Sequence, residues 1–327
     1  MYQEIADFIC ETYGLVCHFV TPVDGGWLNR LWKASSCQGE LLIKQYSTKR
    51  YDRKKLNLIE YALQRQLLLE QAGIPCPHIF RNGGRILHYH GDTPYMVMSF
   101  CEGRKEEPGT ISLTRMESLG HACALMHLAF SRLPLTDVRG FPIDCEKLLA
   151  SLWENYYSRR QCLSEDAPLE YKEALLAQEP ILRELSTDFF QSLPMGIAHE
   201  DFTPDNLLFC KNGVSAIIDF DRNQYGFVWH DIGRALLSFA LEDTAAGIPG
   251  RLNVSKIHAF IRGYSRVLPL TTADAADALR ISWCIEVLWW IMPSCFSAEK
   301  SKATRYRDEI LWLTNHWFAV DGLLQNI

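Results

Sequence analysis

The chain has no Cys-x-x-Cys pair and no regular cysteine spacing, although it holds eleven cysteines. That excludes a zinc ribbon, and an odd number of scattered thiols without a secretion signal reads as reduced, mostly buried cysteine in the cytoplasm. The start, Met1-Tyr2-Gln3-Glu4, lacks the basic stretch and apolar run of a signal peptide. No apolar stretch reaches the length of a membrane span, so no membrane is expected as a partner. Basic charge is not in excess: Lys and Arg number 33 against 39 Asp and Glu, for a net charge of -6. A nucleic-acid binder that works by neutralising phosphates is therefore not expected. The small basic run Lys44, Lys49, Arg50, Arg53, Lys54 and Lys55 reads chiefly as a solvated helix start. There is no internal repeat, no low-complexity segment and no Gly-Lys-(Ser/Thr) of a Walker A loop. With 327 residues and 48% apolar content, the chain can bury a full core in one or two domains.

What is present is concentrated in one stretch, His199-Glu200-Asp201-Phe202-Thr203-Pro204-Asp205-Asn206, followed by Ile217-Ile218-Asp219-Phe220-Asp221. It carries three groups suited to phosphoryl transfer from a nucleotide. Asp201 can accept a proton from a substrate hydroxyl, while Asn206 and Asp219 can hold Mg2+. Val214 to Ile218 reads as a short strand delivering Asp219 at its carboxyl end, and Lys211-Asn212-Gly213 as the tight turn before it. Asn206 and Asp219 then fall on adjacent strands of one hairpin. Magnesium takes few ligands from protein and the rest from phosphate and water, so one carboxylate and one amide oxygen suffice beside a triphosphate.

This block resembles the catalytic and metal-binding loops of the aminoglycoside phosphotransferase and choline kinase superfamily, which share the protein-kinase-like fold. The family pattern is His-Gly-Asp, four residues, Asn, then Ile-Asp-(Phe/Trp/Leu)-(Asp/Glu/Gly). Here Glu200 stands where the family usually has Gly. An acidic side chain there would lower ATP affinity or touch a cationic substrate, and it removes no group that the chemistry needs. The resemblance implies an α+β, two-lobed fold: a small amino-terminal lobe with an antiparallel sheet, and a larger, mostly helical carboxy-terminal lobe. It implies ATP and Mg2+ as cofactors and a small-molecule hydroxyl compound as acceptor.

In the amino-terminal lobe, residues 1–17 begin with a helix stopped at Gly14, and residues 18–46 read as strands. Gly25-Gly26 allows a turn whose amides face an anion, and with Asn29 it looks like the family's nucleotide loop. Lys44, in the strand Glu40–Tyr46, sits in the place of the phosphate-binding lysine, and its parity with Leu42 and Tyr46 suggests a semi-enclosed face. The helix over 53–72 carries Leu56, Ile59, Leu63 and Leu67 on one stripe. Glu60 is its acidic candidate for orienting the lysine, with Gln64 as a substitute. Strands follow at Arg85–Tyr89 and Tyr95–Met98. Backbone groups at Ser99, Phe100 and Cys101 would meet the adenine edge in a linker at about 99–103. The lobes are thus expected at 1–101 and 104–327.

In the carboxy-terminal lobe the periodicity predicts helices over 112–130, 144–160, 169–192, about 254–268, 273–292 and 303–324. His121 and His127 lie on the first and read as structural. Asp231 resembles the family's buried aspartate that holds the catalytic loop, an architectural role. His199 belongs to the same support, and Asp221 is placed to assist the metal or cap the following loop. The late helices supply the acceptor pocket in this superfamily, which makes Glu286, Trp289 and Trp290 acceptor candidates beside Glu200. An aromatic helix stripe is also what core packing produces. Lys54-Lys55-Leu56-Asn57 and Asp219-Phe220-Asp221 look most like the spore-coat-associated kinase-like branch, with homoserine-kinase-like and choline-kinase-like branches as rivals. The implied reaction moves the γ phosphoryl group of ATP to an amino alcohol, a homoserine-like compound, a sugar or an aminoglycoside. The alternative is a non-catalytic kinase-like scaffold.

Overall fold

Helix α1 (Tyr2–Tyr13) opens the chain and stops at Gly14, whose φ of +67° is open to glycine at little cost. The computed structural model describes residues 2–23, 29–135, 138–243, 249–296 and 302–325. After α1 come β1 (Cys17–Val23), β2 (Arg30–Ser36) and β3 (Gly39–Gln45). Helix α2 (Arg53–Gln71) follows, then β4 (His88–His90) and β5 (Thr93–Ser99). The strands form one antiparallel sheet in the order β1-β2-β3-β5-β4, with Lys44 of central β3 opposite Leu31 and Met96. Alternation along β3 sorts its side chains. Leu41 and Ile43 pack with Ile5, Phe8 and Ile9 of α1, while Tyr46 packs with Leu56, Ile59 and Leu63 of α2. Lys44 shares parity with Tyr46 and is 5% exposed. Helix α2 is set by its N-cap, where the Asp52 carboxylate accepts the Lys55 N–H at 2.7 Å, and by its apolar stripe.

The large lobe contains α3 (Leu113–Phe130), α4 (Cys145–Gln161), α5 (Leu169–Leu176), α6 (Gln178–Glu184) and α7 (Thr187–Ser192). It continues with β6 (Met195–Ala198), β7 (Leu207–Cys210), β8 (Gly213–Ile217) and β9 (Gln224–Phe227). Next are α8 (Val228–Ala240), β10 (Leu241–Asp243), β11 (Pro249–Leu252), α9 (Val254–Tyr264) and α10 (Thr272–Trp290). The short α11 (Pro293–Phe296), α12 (Lys302–His316) and α13 (Val320–Gln325) close it. From His230 to Ala240 every residue of α8 is buried, so it is the axis around which the other helices pack. Among the described residues no helix is long and apolar enough to cross a membrane.

The predicted segments are recovered in kind but not always in extent. The helix over 169–192 is three helices. Pro180 sits in the first turn of α6, where its missing N–H costs nothing, and Ser186 caps α7 by accepting the Phe189 N–H at 3.3 Å. The strand over Arg85–Tyr89 is shorter, because Gly83 and Gly84 turn at φ +57° and +79° and Arg85 closes that turn onto Asn82. The helix over 303–324 is interrupted by a 3-10 turn at Trp317–Ala319. The β6–β9 and β10–β11 pairs have no local signature strong enough to announce them.

Helices α3 and α9 meet at two glycines, each against the other helix's backbone. A Cβ on Gly120 would lie 2.1 Å from the Phe260 carbonyl oxygen, and one on Gly263 only 1.8 Å from that of Glu117. Backbone cannot yield as a side-chain tip can. Gly263→Ala is expected to lower unfolding stability by about 1–3 kcal/mol, the cost of overpacking. Chemical denaturation checks this, and an unchanged midpoint would contradict the close approach.

Candidate active site

Strand β6 ends at Ala198, and the backbone then turns sharply: Glu200 has φ +64°. Left-handed backbone costs a non-glycine residue on the order of 1–3 kcal/mol, so something must hold it. Asp231, wholly buried on α8, accepts the His199 N–H at 2.7 Å and the Glu200 N–H at 2.9 Å. Its Oδ2 also meets His127 Nε2 at 3.1 Å, and His127 Nδ1 meets the Tyr264 hydroxyl at 3.0 Å. Burial works against the Asp231 charge, yet His127 and its other partners hold the carboxyl below its ordinary value. His127 thus has the acidic partner that the sequence did not suggest, because that partner lies on a different helix.

The loop is further closed from within. The Asp201 carbonyl accepts the Thr203 N–H and Asn206 Nδ2, each at 2.9 Å, and the Asn206 carbonyl accepts the Ile218 N–H at 2.9 Å. His199 is fully buried, packs its ring 4.6 Å from that of Phe220 and meets the Ile218 carbonyl through Nε2 at 3.1 Å. Asn206 lies on a 3-10 turn at the start of β7 rather than on the strand itself, and Asp219 follows β8. Pairing of Leu207 with Ile217 sets the two side by side. Asp219 has φ +63°, the second left-handed residue of the site.

Lys44 reaches across from the small lobe. Its Nζ donates to Asp219 Oδ1 at 2.8 Å and to Asp221 Oδ2 at 2.7 Å, and the Tyr46 hydroxyl donates to Asp221 Oδ1 at 3.1 Å. One ammonium cannot fully compensate two carboxylates. For Asp219 burial is outweighed by Lys44, which holds the carboxyl low, whereas burial prevails at Asp221 and pushes it up. Asp201 is raised by burial, with Arg222 pulling the other way from 3.7 Å.

Several predicted residues stand elsewhere. Glu60 does not pair with Lys44: its Oε1 accepts the Ile86 N–H at 3.0 Å, because the residue faces the β-turn segment and not the cleft. The N–H groups of Ser99 and Phe100 are spent on the carbonyls of His78 and Glu40, both at 2.8 Å. Of the three linker amides, only that of Cys101 has no backbone acceptor among the described residues. Gly25 and Gly26 lie outside the described residues. Asn29 is described, and its buried Oδ1 has no hydrogen-bond partner among the described residues. Trp289 is 66% exposed, while Trp290 Nε1 donates to Glu286.

Beside the loop over 199–206 lies a largely buried charged cluster, of which only Glu200 and Glu286 stood out in the sequence. His230 Nε2 meets Glu286 Oε1 at 3.1 Å, and its Nδ1 lies 3.7 Å from Glu200 Oε2. Arg234 stands 3.7 Å from Glu286 and 3.6 Å from Glu309, with its guanidinium 4.5 Å from the Tyr306 ring centre. Glu309 is also bound by Arg305 at 3.0 Å. Burial opposes the His230 charge, but Glu200 and Glu286 raise its pKa to about 10. For Glu286 burial is likewise overcome, here by Arg234 and His230, and its carboxyl falls to about 2. Gly226 makes room for Glu200: a Cβ there would sit 2.1 Å from Glu200 Oε1.

Among known proteins, the model of a family described as the phosphotransferase enzyme family matches residues 20–270. A homoserine kinase of Bradyrhizobium sp. strain ORS 278 is 28% identical over 275 residues, covering 83% of this chain and 78% of that one. A homoserine kinase of Rhodopseudomonas palustris strain BisA53 is 31% identical over 223 residues, covering 68% of this chain and 63% of its own length. Among solved structures, an amicoumacin kinase in complex with AMP-PNP, Ca2+ and amicoumacin superposes with a TM-score of 0.63 at 16% identity. That match covers 97% of this chain and 94% of the other. It shows a shared kinase-like fold.

The raised His230 pKa has a stability consequence with a definite sign. In the unfolded chain the imidazole titrates near its usual value of about 6.5. Its contribution is complete below that pH and is lost as pH rises towards about 10, where the folded form deprotonates. In His230→Gln the fall in unfolding free energy between those limits is expected to be shallower by up to about 1.4 kcal/mol per pH unit. Denaturant titrations at a series of pH values measure it. Parallel curves for the two proteins would contradict a charged His230.

Proposed function

The chain belongs to the phosphotransferase enzyme family, and from that premise we propose that it is an ATP- and Mg2+-dependent small-molecule kinase acting on a hydroxyl group. The observation that carries the reading is the convergence of Asp201, Asn206, Asp219 and Lys44, drawn from both lobes, on the loop after β6 and the turn after β8. The donor chemistry suits Mg2+. Asn206 spends its amide N–H on Asp201, which leaves its Oδ1 for a cation, and Asp219 supplies a carboxylate kept ionised by Lys44. When bound, Mg-ATP supplies the transferable γ phosphoryl group and the charge neutralisation that a loose transition state requires.

The protein's own part is positioning and electrostatics. Asp201 receives the acceptor hydroxyl and takes its proton late, so great base strength is not needed. Lys44 offsets phosphate charge. Asp231, His199 and His127 keep the loop from relaxing out of its left-handed turn. The lobes divide at the linker over 99–103, with residues 1–101 on the nucleotide side and 104–327 on the acceptor side. For the acceptor, the relatives named homoserine kinase favour a small amino-bearing alcohol of homoserine type. Free cysteines throughout fit a cytoplasmic site of action. A non-catalytic scaffold, including a spore-coat-associated one, is the second reading, favoured by Glu60 standing away from Lys44.

Turnover decides between the two. ADP release is to be followed against homoserine, amino alcohols, sugars and aminoglycosides. The expected outcome is acceptor-dependent release that falls 10²–10⁴-fold in Asp201→Asn, about the size of a lost general base, with Mg-ATP binding retained. Nucleotide binding without release on any acceptor would establish the scaffold instead.

A further inference from the structure

Protein kinases hold their phosphate-binding lysine with a glutamate from the helix behind it. Here that helix is α2, and its one acidic candidate in the helix body, Glu60, is turned to the Ile86 N–H at 3.0 Å. The lysine is nonetheless held. Two carboxylates face Lys44 Nζ, and their surroundings differ. The Asp219 side chain is 41% exposed, whereas that of Asp221 is 9% exposed. Asp221 is fixed from both sides: Oδ2 takes the Lys44 ammonium at 2.7 Å and Oδ1 the Tyr46 hydroxyl at 3.1 Å. Lys44 and Tyr46 are two residues apart on one face of the chain leaving β3, so together they clamp one carboxylate.

Helix α2 enters by another route. Arg65 donates through Nε to Asn223 Oδ1 at 2.6 Å and through Nη2 to the Asn223 carbonyl at 3.1 Å. Asn223 Nδ2 returns to the Ala62 carbonyl at 2.9 Å. Arg65 and Asn223 are both buried. The helix is therefore latched to the turn that carries Asp221, not to the lysine itself.

We infer that Asp221 is the positioning carboxylate for Lys44, taking the place of a helix glutamate, and that the Arg65–Asn223 latch holds α2 to the turn that presents it. The inference rests on the kinase reading above and adds to it a division of labour. Asp219, the more exposed of the two, would take the cation, and Asp221 would then keep Lys44 aimed. Tyr46 holds the far oxygen of Asp221 and so prevents it from swinging into the cleft as a second metal ligand.

The test is Mg-ATP affinity by calorimetry for the whole chain and for Asp221→Asn, Glu60→Gln, Lys44→Met and the Lys44→Met/Asp221→Asn double variant, each first checked for cooperative unfolding. Asp221→Asn is expected to weaken Mg-ATP binding at least tenfold, with no recovery when Mg2+ is raised tenfold. The same change in the Lys44→Met background is expected to cost less than twofold, and Glu60→Gln to stay within twofold of the original chain. If Asp221→Asn does not fold, Tyr46→Phe serves, with a loss of about threefold expected on the same logic. Recovery by excess Mg2+ would make Asp221 a metal ligand and overturn the inference. So would equal losses with and without Lys44, or a wild-type affinity in Asp221→Asn or Tyr46→Phe. Those outcomes leave the kinase reading standing, whereas no Mg-ATP binding by the original chain would sink both.

Discussion

A single buried ammonium, shared between two carboxylates, connects the sheet of the small lobe to the turn after β8 of the large one. Lys44 is 5% exposed and sits at the centre of the sheet, between β2 and β5. Taking such a charge out of water costs several kcal/mol, and only well-placed opposite charges and hydrogen bonds offset it. Asp219 and Asp221 do so at 2.8 and 2.7 Å. Two carboxylates face this one ammonium, and Asp219 is the more exposed of them. The geometry that ties the lobes together is in this way also the geometry that would receive a metal-bound nucleotide.

The second constraint is backbone strain at two positions, Glu200 at φ +64° and Asp219 at φ +63°. It gives a physical reason for the glycine that the resembling family carries where this chain has Glu200, since glycine adopts that turn freely. This chain accepts the cost and employs the side chain, placing its carboxylate near His230 and against Gly226. Asp231 makes the turn tenable by accepting two successive amide hydrogens. Aspartate tolerates the left-handed region better than most residues, which suits Asp219 to its position.

How far the sequence could be read follows from the distance over which each signal acts. Asp201, Asn206 and Asp219 lie within one short stretch, so their order and spacing sufficed to single them out, and the stripe of α2 gave its buried face. The pairs that organise the site are long-range and leave no periodic trace. Arg65 and Asn223 are 158 residues apart, and His127 and Asp231 are 104 apart. Glu309 and Arg305, which complete the charged cluster with Arg234, look like an ordinary surface helix pair until α12 is packed against α8. Glu60 misled because helical spacing says which residues share a face, not which of two carboxylates a lysine from another element will choose. Segment ends slipped where Pro180, Ser186 and the Gly83–Gly84 turn broke longer patterns.

The central claim is that residues from both lobes build one Mg2+-dependent nucleotide site. Calorimetric titration of ATP into the original chain and into Asp219→Ala, each with Mg2+ and with chelator, tests it most directly. Binding that requires Mg2+ in the original chain and is lost in Asp219→Ala is the predicted result. Equal binding in all four titrations, or none at millimolar ATP, would contradict it.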